Sequence, residues 1–411
     1  MTTTDPKERD TVRELARKVA ELADTQENKN RLELWCDVNS LRKTDRPAVI
    51  CNLGSGAWME ALPQSVVTSQ DKWLAGIEYE LRKQLYKWDL GDDTVLDPWM
   101  PVAPVMRLDG QHLWGLPVKH INTKHDDITR TAWAYDPPIK DEADIEKIVP
   151  PHYHYDDAAT QANLSRMDDL LGDILPVKLT CAVPGAGAWL HGWATQLRGV
   201  EQLLVDLMDR PAWVHHLMRT LMEGHLSVMG QYEKAGVLTL NNTNKMACDD
   251  LPQPDFDGEH VRLRDQWGRG ESQEFQGVSP ALYEKFLLQY QKPILERFGL
   301  TFYGCCEDLT NKISMVLSIP NLRKFVCSAW TDIGKLAQAT GGRYCIEWRQ
   351  KATDVVYSPD LSDVRKHLRD GLTKAKGCPM QIVLQELETT NRNPKRLADW
   401  AALAKEVGAK I

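Results

Sequence analysis

No apolar run in the 411 residues approaches the roughly 20 residues that a membrane helix needs. The first thirty residues are too polar for a signal peptide. No basic stripe offsets the net charge of −8. Membrane insertion, secretion and nucleic-acid binding are therefore not expected, and the chain is predicted to be cytoplasmic.

Phenylalanine is scarce, and the number of cysteines is odd. Nine cysteines in a chain predicted to be cytoplasmic do not indicate a disulfide framework; they favour free thiols, metal ligation or burial. Six phenylalanines stand against fourteen tryptophans. Tryptophan suits an aromatic-lined pocket, but it also serves as a bulky core residue, and the composition does not separate the two.

The sequence also lacks the phosphate-binding glycine patterns GxGxxG and GxxxxGK[ST] that an open doubly wound sheet usually carries. Short apolar segments alternate with amphipathic helical patterns, which is typical of a parallel sheet with crossover helices. The count favours a single (β/α)8 barrel over residues 46–411, with loop insertions and an N-terminal helical extension over residues 1–45. The eight predicted strands are PAVICNLG, PVMRLDG, PVKLTCAVPG, VLTLNN, LTFYGCC, KFVCSAW, RYCIEW and QIVLQEL.

Active sites of such barrels lie at the carboxyl ends of the strands, and one strand ends in Tyr303-Gly304-Cys305-Cys306-Glu307. A thiolate is a soft ligand suited to Zn²⁺. Adjacent residues of a strand point to opposite faces, so both cysteines can reach one metal only if the chain bends there. Cys378 could supply a further thiol if its loop folds back. The alternative is that these cysteines are small buried hydrophobes.

Other predicted strand ends also carry polar or aromatic groups. Carboxylates there could act as general acids or bases or bind substrate hydroxyls, and the alternative for the loop after VLTLNN is a helix cap in a solvated segment. The further candidates are Asn241, Asn242, Asp249, Asp250, Arg264, Trp267, Trp330, Glu347, Trp348 and Glu386.

From about residue 45 onward the chain resembles the uroporphyrinogen decarboxylase superfamily, and it is most similar to the branch that includes corrinoid-dependent methyltransferases. The resemblance lies in segments that follow one another in the expected order. They are ILPVKL (174–179), RGVEQLLVDLMDRP (198–211), DDLPQPDFDGEHVRLRDQWGRG (249–270), VSPALYEKFLLQYQKPILERFGL (278–300), YGCCEDL (303–309), IPNLRKF (319–325) and NPKRLADWAALAKEV (393–407).

This resemblance implies a methyltransferase in which a bound zinc helps to move a methyl group between a small-molecule donor and a corrinoid carried by a partner protein. The family's zinc signature is His-x-Cys-Gly with a later cysteine; here Tyr303 stands at the histidine position and Cys306 at the glycine position. The implied zinc ligands are Cys305, Cys306, Glu307 and Cys378. The implied catalytic acids are Asp250, Glu347 and Glu386. The implied substrate contacts are Asn241, Asn242, Asp249, Arg264, Trp267, Tyr303, Trp330 and Trp348.

Two other functions stay open. One is a metal-free decarboxylase of a small acid, with Arg262, Arg264 and Arg269 anchoring carboxylates; the arginine-rich N-terminal motif of the decarboxylase proper is absent. The other is a non-catalytic protein that holds a corrinoid or a tetrapyrrole. The N-terminal helical segment could cover the bottom of the barrel or form a homodimer.

Overall fold

The computed structural model describes residues 5–122, 133–183 and 187–411, which form an α/β structure. The strands are β1 Ala48–Leu53, β2 Met100–Val102, β3 Met106–Leu108, β4 Lys119–Asn122, β5 Trp133–Asp136, β6 Tyr153–Tyr155, β7 Val177–Leu179, β8 Gly187–Ala188, β9 Trp267–Gly270, β10 Leu300–Tyr303, β11 Leu322–Cys327, β12 Cys345–Gln350 and β13 Met380–Leu387. The helices are α1 Pro6–Ala23, α2 Gln26–Asn39, α3 Ser55–Ala61, α4 Lys72–Asp89, α5 Asp157–Leu171, α6 Leu190–Arg198, α7 Val200–Asp209, α8 Pro211–Lys234, α9 Pro280–Tyr283, α10 Gln289–Leu295, α11 Ile313–Val316, α12 Ile333–Thr340, α13 Ala352–Val356, α14 Ser362–Lys374 and α15 Lys395–Gly408. None of these helices is long and apolar enough to cross a membrane.

The main sheet has seven parallel strands in the order β1-β13-β12-β11-β10-β9-β8. A second parallel pair joins β2 to β7, while β3 pairs with β6 and β4 with β5 in antiparallel fashion. Across the described residues the main sheet is hydrogen-bonded from β1 to β8, and its two ends are not hydrogen-bonded to each other. Because all seven strands are parallel, their carboxyl ends lie along one edge and their amino ends along the other.

The two faces of the sheet differ in chemistry. Phe325, Ile346 and Trp348 belong to the large apolar core that the surrounding helices cover. Side chains alternate along a strand, so their neighbours Lys324 and Glu347 lie on the opposite face. That opposite face is therefore polar in the middle of the sheet, which is where a site could form.

Seven of the eight predicted strands contain strands of the structure, five of them in the main sheet, and the prediction for VLTLNN is wrong. PVKLTCAVPG contributes β7, which pairs with β2 outside the main sheet. PVMRLDG contributes β3, which pairs with β6 outside the main sheet. VLTLNN forms no strand; the side chain of Gln266 donates a hydrogen bond to the carbonyl of Thr239 at 2.5 Å, where a neighbouring strand would otherwise donate. Among the parallel strands, β2, β8 and β9 were not predicted; they are short and contain proline or glycine.

The helix α2 covers the amino ends of the main sheet. Trp35 is fully buried there against Ile50, Cys345 and Val383, and its indole nitrogen donates a hydrogen bond to the Asp93 carbonyl at 2.6 Å. This contact favours the first alternative for the N-terminal segment, in which the segment covers the bottom of the sheet.

Candidate functional site at the carboxyl ends of the strands

The chain bends immediately after β10. Gly304 has a φ of +116°, and a Cβ atom built there would lie 2.8 Å from the carbonyl oxygen of Val326, so only glycine fits. The bend brings the sulfur atoms of Cys305 and Cys306 to within 3.4 Å of each other, although the two residues are adjacent in sequence. The chain thus bends as it must if both thiols are to contact one ligand.

Glu307 holds this bend in place. One carboxylate oxygen accepts hydrogen bonds from the backbone nitrogen and hydroxyl of Ser272, at 2.7 and 3.1 Å, and the other accepts from the backbone nitrogen of Cys305 at 2.9 Å. The side chain is fully buried. Both oxygens are therefore used in joining the loop after β10 to the loop after β9.

Glu307→Gln is expected to destabilise the fold by about 1–3 kcal/mol, because the new amide nitrogen must face one of these backbone N–H donors. We expect the turnover number to fall as well, because Cys305 would lose its anchor. Urea unfolding and steady-state assays would measure the two effects. The exposed Glu259→Gln serves as the control, and equal stability of the two variants would contradict this role of Glu307.

A cation lies directly beside the thiol pair. Arg349 on β12 places Nη1 3.6 Å from the sulfur of Cys305 and 3.8 Å from a carboxylate oxygen of Glu386, while its Nε donates to Glu347 at 3.0 Å. Burial raises the pKa of Glu347, but the charges of Arg349, Lys324 and Lys245 outweigh burial and the pKa is lowered overall. Glu347 is therefore better suited to orienting Arg349 than to donating a proton.

Glu386 lies at a bulge near the end of β13. Cys51 pairs with Leu384, but Leu53 pairs with Leu387, so β13 carries one extra residue there. Glu386 has a φ of +62°, a strained backbone conformation of the kind that clusters at functional sites. A hydrogen bond with Cys305, burial and the nearby carboxylate of Glu386 all raise the pKa of Cys306. The Cys306 thiol therefore keeps its proton at neutral pH.

The candidates after VLTLNN lie at the opposite edge of the sheet. Asn241 exchanges hydrogen bonds of 3.0 and 2.8 Å with the backbone of Trp267, the first residue of β9. Asp250 pairs at 2.6 Å with Arg323, the second residue of β11. The remaining candidates bond within this amino-end region: Asn242 to the Leu251 carbonyl, Asp249 to Arg42 and Cys36, and Arg264 to Asp255. The structure does not bring this group together with the thiol pair.

The three arginines expected to anchor a carboxylate are each paired with an acidic side chain. Arg262 binds Asp255 and Asp265, and Arg264 binds Asp255. Arg269 binds Glu271 at 2.5 Å. Since their charges are matched and Arg269 lies on β9 away from the other two, they do not form one anion site.

The four residues predicted as zinc ligands do not fit a single zinc site. Cys378 precedes β13 and contacts Thr340 at the end of α12, so about 25 Å of strand separates it from the carboxyl edge. Both oxygens of Glu307 already accept hydrogen bonds from Ser272 and Cys305. Within the described ranges no group of three or more His, Cys, Asp or Glu side chains is arranged to hold a metal ion.

The aromatic candidates differ in exposure. Tyr303 is fully buried, with its hydroxyl 2.6 Å from Gln291 and 2.8 Å from Tyr283. Trp348 packs on α14 and Trp267 is buried at the amino edge. Trp330 is 56% exposed at the end of β11 and stands at the same edge as the thiols. It is the one of the four that a substrate at this edge could reach.

Sequence reasoning missed two groups at the carboxyl edge. Arg349 lies just beyond the predicted strand RYCIEW. Its spacing of two residues from Glu347 could have indicated that both side chains lie on the same face of the sheet. His191 on α6 is fully buried, and its Nε2 lies 2.9 Å from the carboxylate of Glu274 in the turn after β9. No local pattern joins these two residues, which are 83 positions apart in the sequence.

No protein-family model and no curated protein sequence matches the chain. Among solved structures, the chain is similar to a methyltransferase from Methanosarcina mazei, with a TM-score of 0.51 and 11% sequence identity. The match covers 90% of this chain and 98% of that one. At this identity the likeness shows a shared fold over nearly the whole chain.

Proposed function

We propose that this chain is a methyltransferase that moves a methyl group between a small methylated substrate and a corrinoid carried by a partner protein. The observation that carries the proposal is the thiol pair Cys305–Cys306 at the carboxyl edge of the sheet, in a chain that shares its fold with a methyltransferase. The corrinoid partner and the closed (β/α)8 barrel of the uroporphyrinogen decarboxylase superfamily are the finer parts of this proposal, and they rest on the sequence resemblance.

The residues at this edge suit such a transfer. Sulfur is soft and polarisable, so Cys305 can contact a methyl group or its heteroatom closely. Arg349 supplies positive charge where a leaving group gains negative charge. The protonated thiol of Cys306, beside Glu386, can donate a hydrogen bond to the same group. Trp330 offers an exposed aromatic wall.

The test is an anaerobic assay with free cob(I)alamin in place of the corrinoid protein. The purified chain is incubated with a panel of O-, N- and S-methylated compounds, and methylcob(III)alamin is followed by its absorbance. Enzyme-dependent formation of methylcob(III)alamin supports the proposal. Release of carbon dioxide from a substrate without methyl transfer, or tight corrinoid binding without turnover on any donor, would contradict it and favour the lyase or the binding protein.

A further inference from the structure

On β11 and β12 the polar face of the main sheet carries two cations and one carboxylate. Lys324 on β11 and both Glu347 and Arg349 on β12 share this face, since Phe325, Ile346 and Trp348 between them pack against the helices. Glu347 is engaged by Arg349 at 3.0 Å. One carboxylate in this group thus already has a cationic partner.

Lys324 is almost fully buried and has no carboxylate partner among the described residues. Its Nζ donates to the side-chain oxygen of Gln381 at 3.2 Å and lies 3.6 Å from the sulfur of Met246. The ring of Trp267 lies 5.6 Å away. A buried ammonium with such weak partners is costly unless an anion offsets it.

Lys245 adds a second cation that forms no ion pair within residues 5–122, 133–183 and 187–411. It lies on the turn Asn244–Met246, and its backbone carbonyl accepts a hydrogen bond from Asn39 at 3.0 Å. The side chain is exposed to solvent. Burial by surrounding protein nevertheless lowers its pKa, Glu347 opposes this, and Lys324, Arg349 and Lys87 add to it. The Lys245 side chain therefore lies close to Lys324, Glu347 and Arg349 while it remains open to solvent.

Two further acids near these cations do not add to the negative charge that faces them. Asp92 is paired with Lys87. Asp97 accepts a hydrogen bond from Asn244 at 2.6 Å, and burial raises its pKa. Lys245 and Lys324 form no ion pair among the described residues, whereas Arg349 contacts both Glu347 and Glu386. The three cations therefore face two carboxylates, which leaves about one positive charge in excess in a region of low dielectric.

We infer that Lys245, Lys324 and Arg349 bind the anionic group of a small-molecule substrate, a carboxylate or a phosphate. Lys245 approaches from the amino-end turn, and Arg349 reaches Cys305 at 3.6 Å. The anionic group lies between the three cations, and the methyl-bearing end of the same molecule points to the thiols. This inference rests on the proposed function for the direction of the substrate, and it names the substrate as a negatively charged methylated molecule.

The test is isothermal titration calorimetry at low ionic strength with succinate and with inorganic phosphate, and with neutral succinamide as the control ligand. Lys245→Met is expected to weaken anion binding by at least about tenfold, the usual effect of losing one partner of a charged hydrogen bond. The exposed Lys43→Met should stay within about twofold of the parent protein. A response to succinate alone assigns a carboxylate and a response to phosphate alone assigns a phosphate. Failure of both anions to bind, or equal affinity in Lys245→Met, overturns the inference.

Thermal melting separates lost binding from lost folding. Without added anion, Lys245→Met is expected to melt at or above the temperature of the parent protein, because the repulsion from Lys324 and Arg349 is relieved. Added anion should then stabilise the parent protein but not the variant. If anion binding is lost in Lys245→Met while no donor is demethylated, the anion site stands and the methyltransferase proposal fails. If methyl transfer occurs and anion affinity is unchanged in the variant, the methyltransferase proposal stands and the anion site fails.

Discussion

Replacing Cys305 with serine is expected to lower kcat/KM for methyl transfer by at least about a hundredfold, within the range for removal of a catalytic group. Serine fills nearly the same space and keeps the backbone hydrogen bond to Glu307. It supplies a hard hydroxyl in place of the soft sulfur that lies beside Arg349. The corrinoid-methylation assay would measure the loss.

Cys378→Ser is the matched control for this prediction. It is the same chemical change at a half-buried cysteine, but Cys378 lies before β13 at the amino edge of the sheet. We expect it to retain activity within about twofold, as is usual for a substitution away from the site. Equal loss in both variants would show that the thiols of the chain matter for a reason other than their place at the carboxyl edge.

Replacing Trp35 with alanine is expected to destabilise the protein by about 3–5 kcal/mol, the usual cost of removing a fully buried tryptophan. The change would leave a cavity beneath Ile50, Cys345 and Val383 and remove the hydrogen bond to the Asp93 carbonyl. Chemical denaturation followed by circular dichroism would measure the free energy of unfolding.

The exposed Leu32→Ala on the same helix is the control, because it has a similar effect on helix propensity but removes little buried surface. Its cost is expected to stay within about 0.5–1 kcal/mol. If Trp35→Ala were no more harmful than Leu32→Ala, α2 would not be an integral cover of the sheet, and a separable role such as dimer formation would gain support.

The fold was predictable where buried apolar strands are long enough to show their pattern. β11, β12 and β13 have six to eight residues and contain β-branched or aromatic residues, and all three were predicted from the sequence. VLTLNN has the same composition, yet its backbone is bonded partly by the side chain of Gln266. β9 reads WGRG, which carries two glycines and no strand pattern. In both segments tertiary contacts determine whether a strand forms, and those contacts cannot be predicted from the local sequence.

The candidate site was predictable only in part for the same reason. The run from Cys305 to Glu307 drew attention by its own chemistry, and the structure places it at the carboxyl edge. Taking VLTLNN as a strand put Asn241 and Asp250 at that same edge, whereas the structure places them at the other. Lys245 gained its significance only from Lys324 and Glu347, which lie far from it in the sequence.

The central claim is that the chemistry occurs at the carboxyl ends of the strands. Substitutions of two predicted catalytic acids, one at each edge of the sheet, test this claim most directly. The measurement is kcat/KM for methyl transfer by Glu386→Gln and by Asp250→Asn. We expect Glu386→Gln to lose at least about tenfold, because it removes the carboxylate beside Cys306 and Arg349. We expect Asp250→Asn, whose residue pairs with Arg323, to change activity by less than about twofold. A large loss in Asp250→Asn with none in Glu386→Gln would contradict a site at the carboxyl ends of the strands.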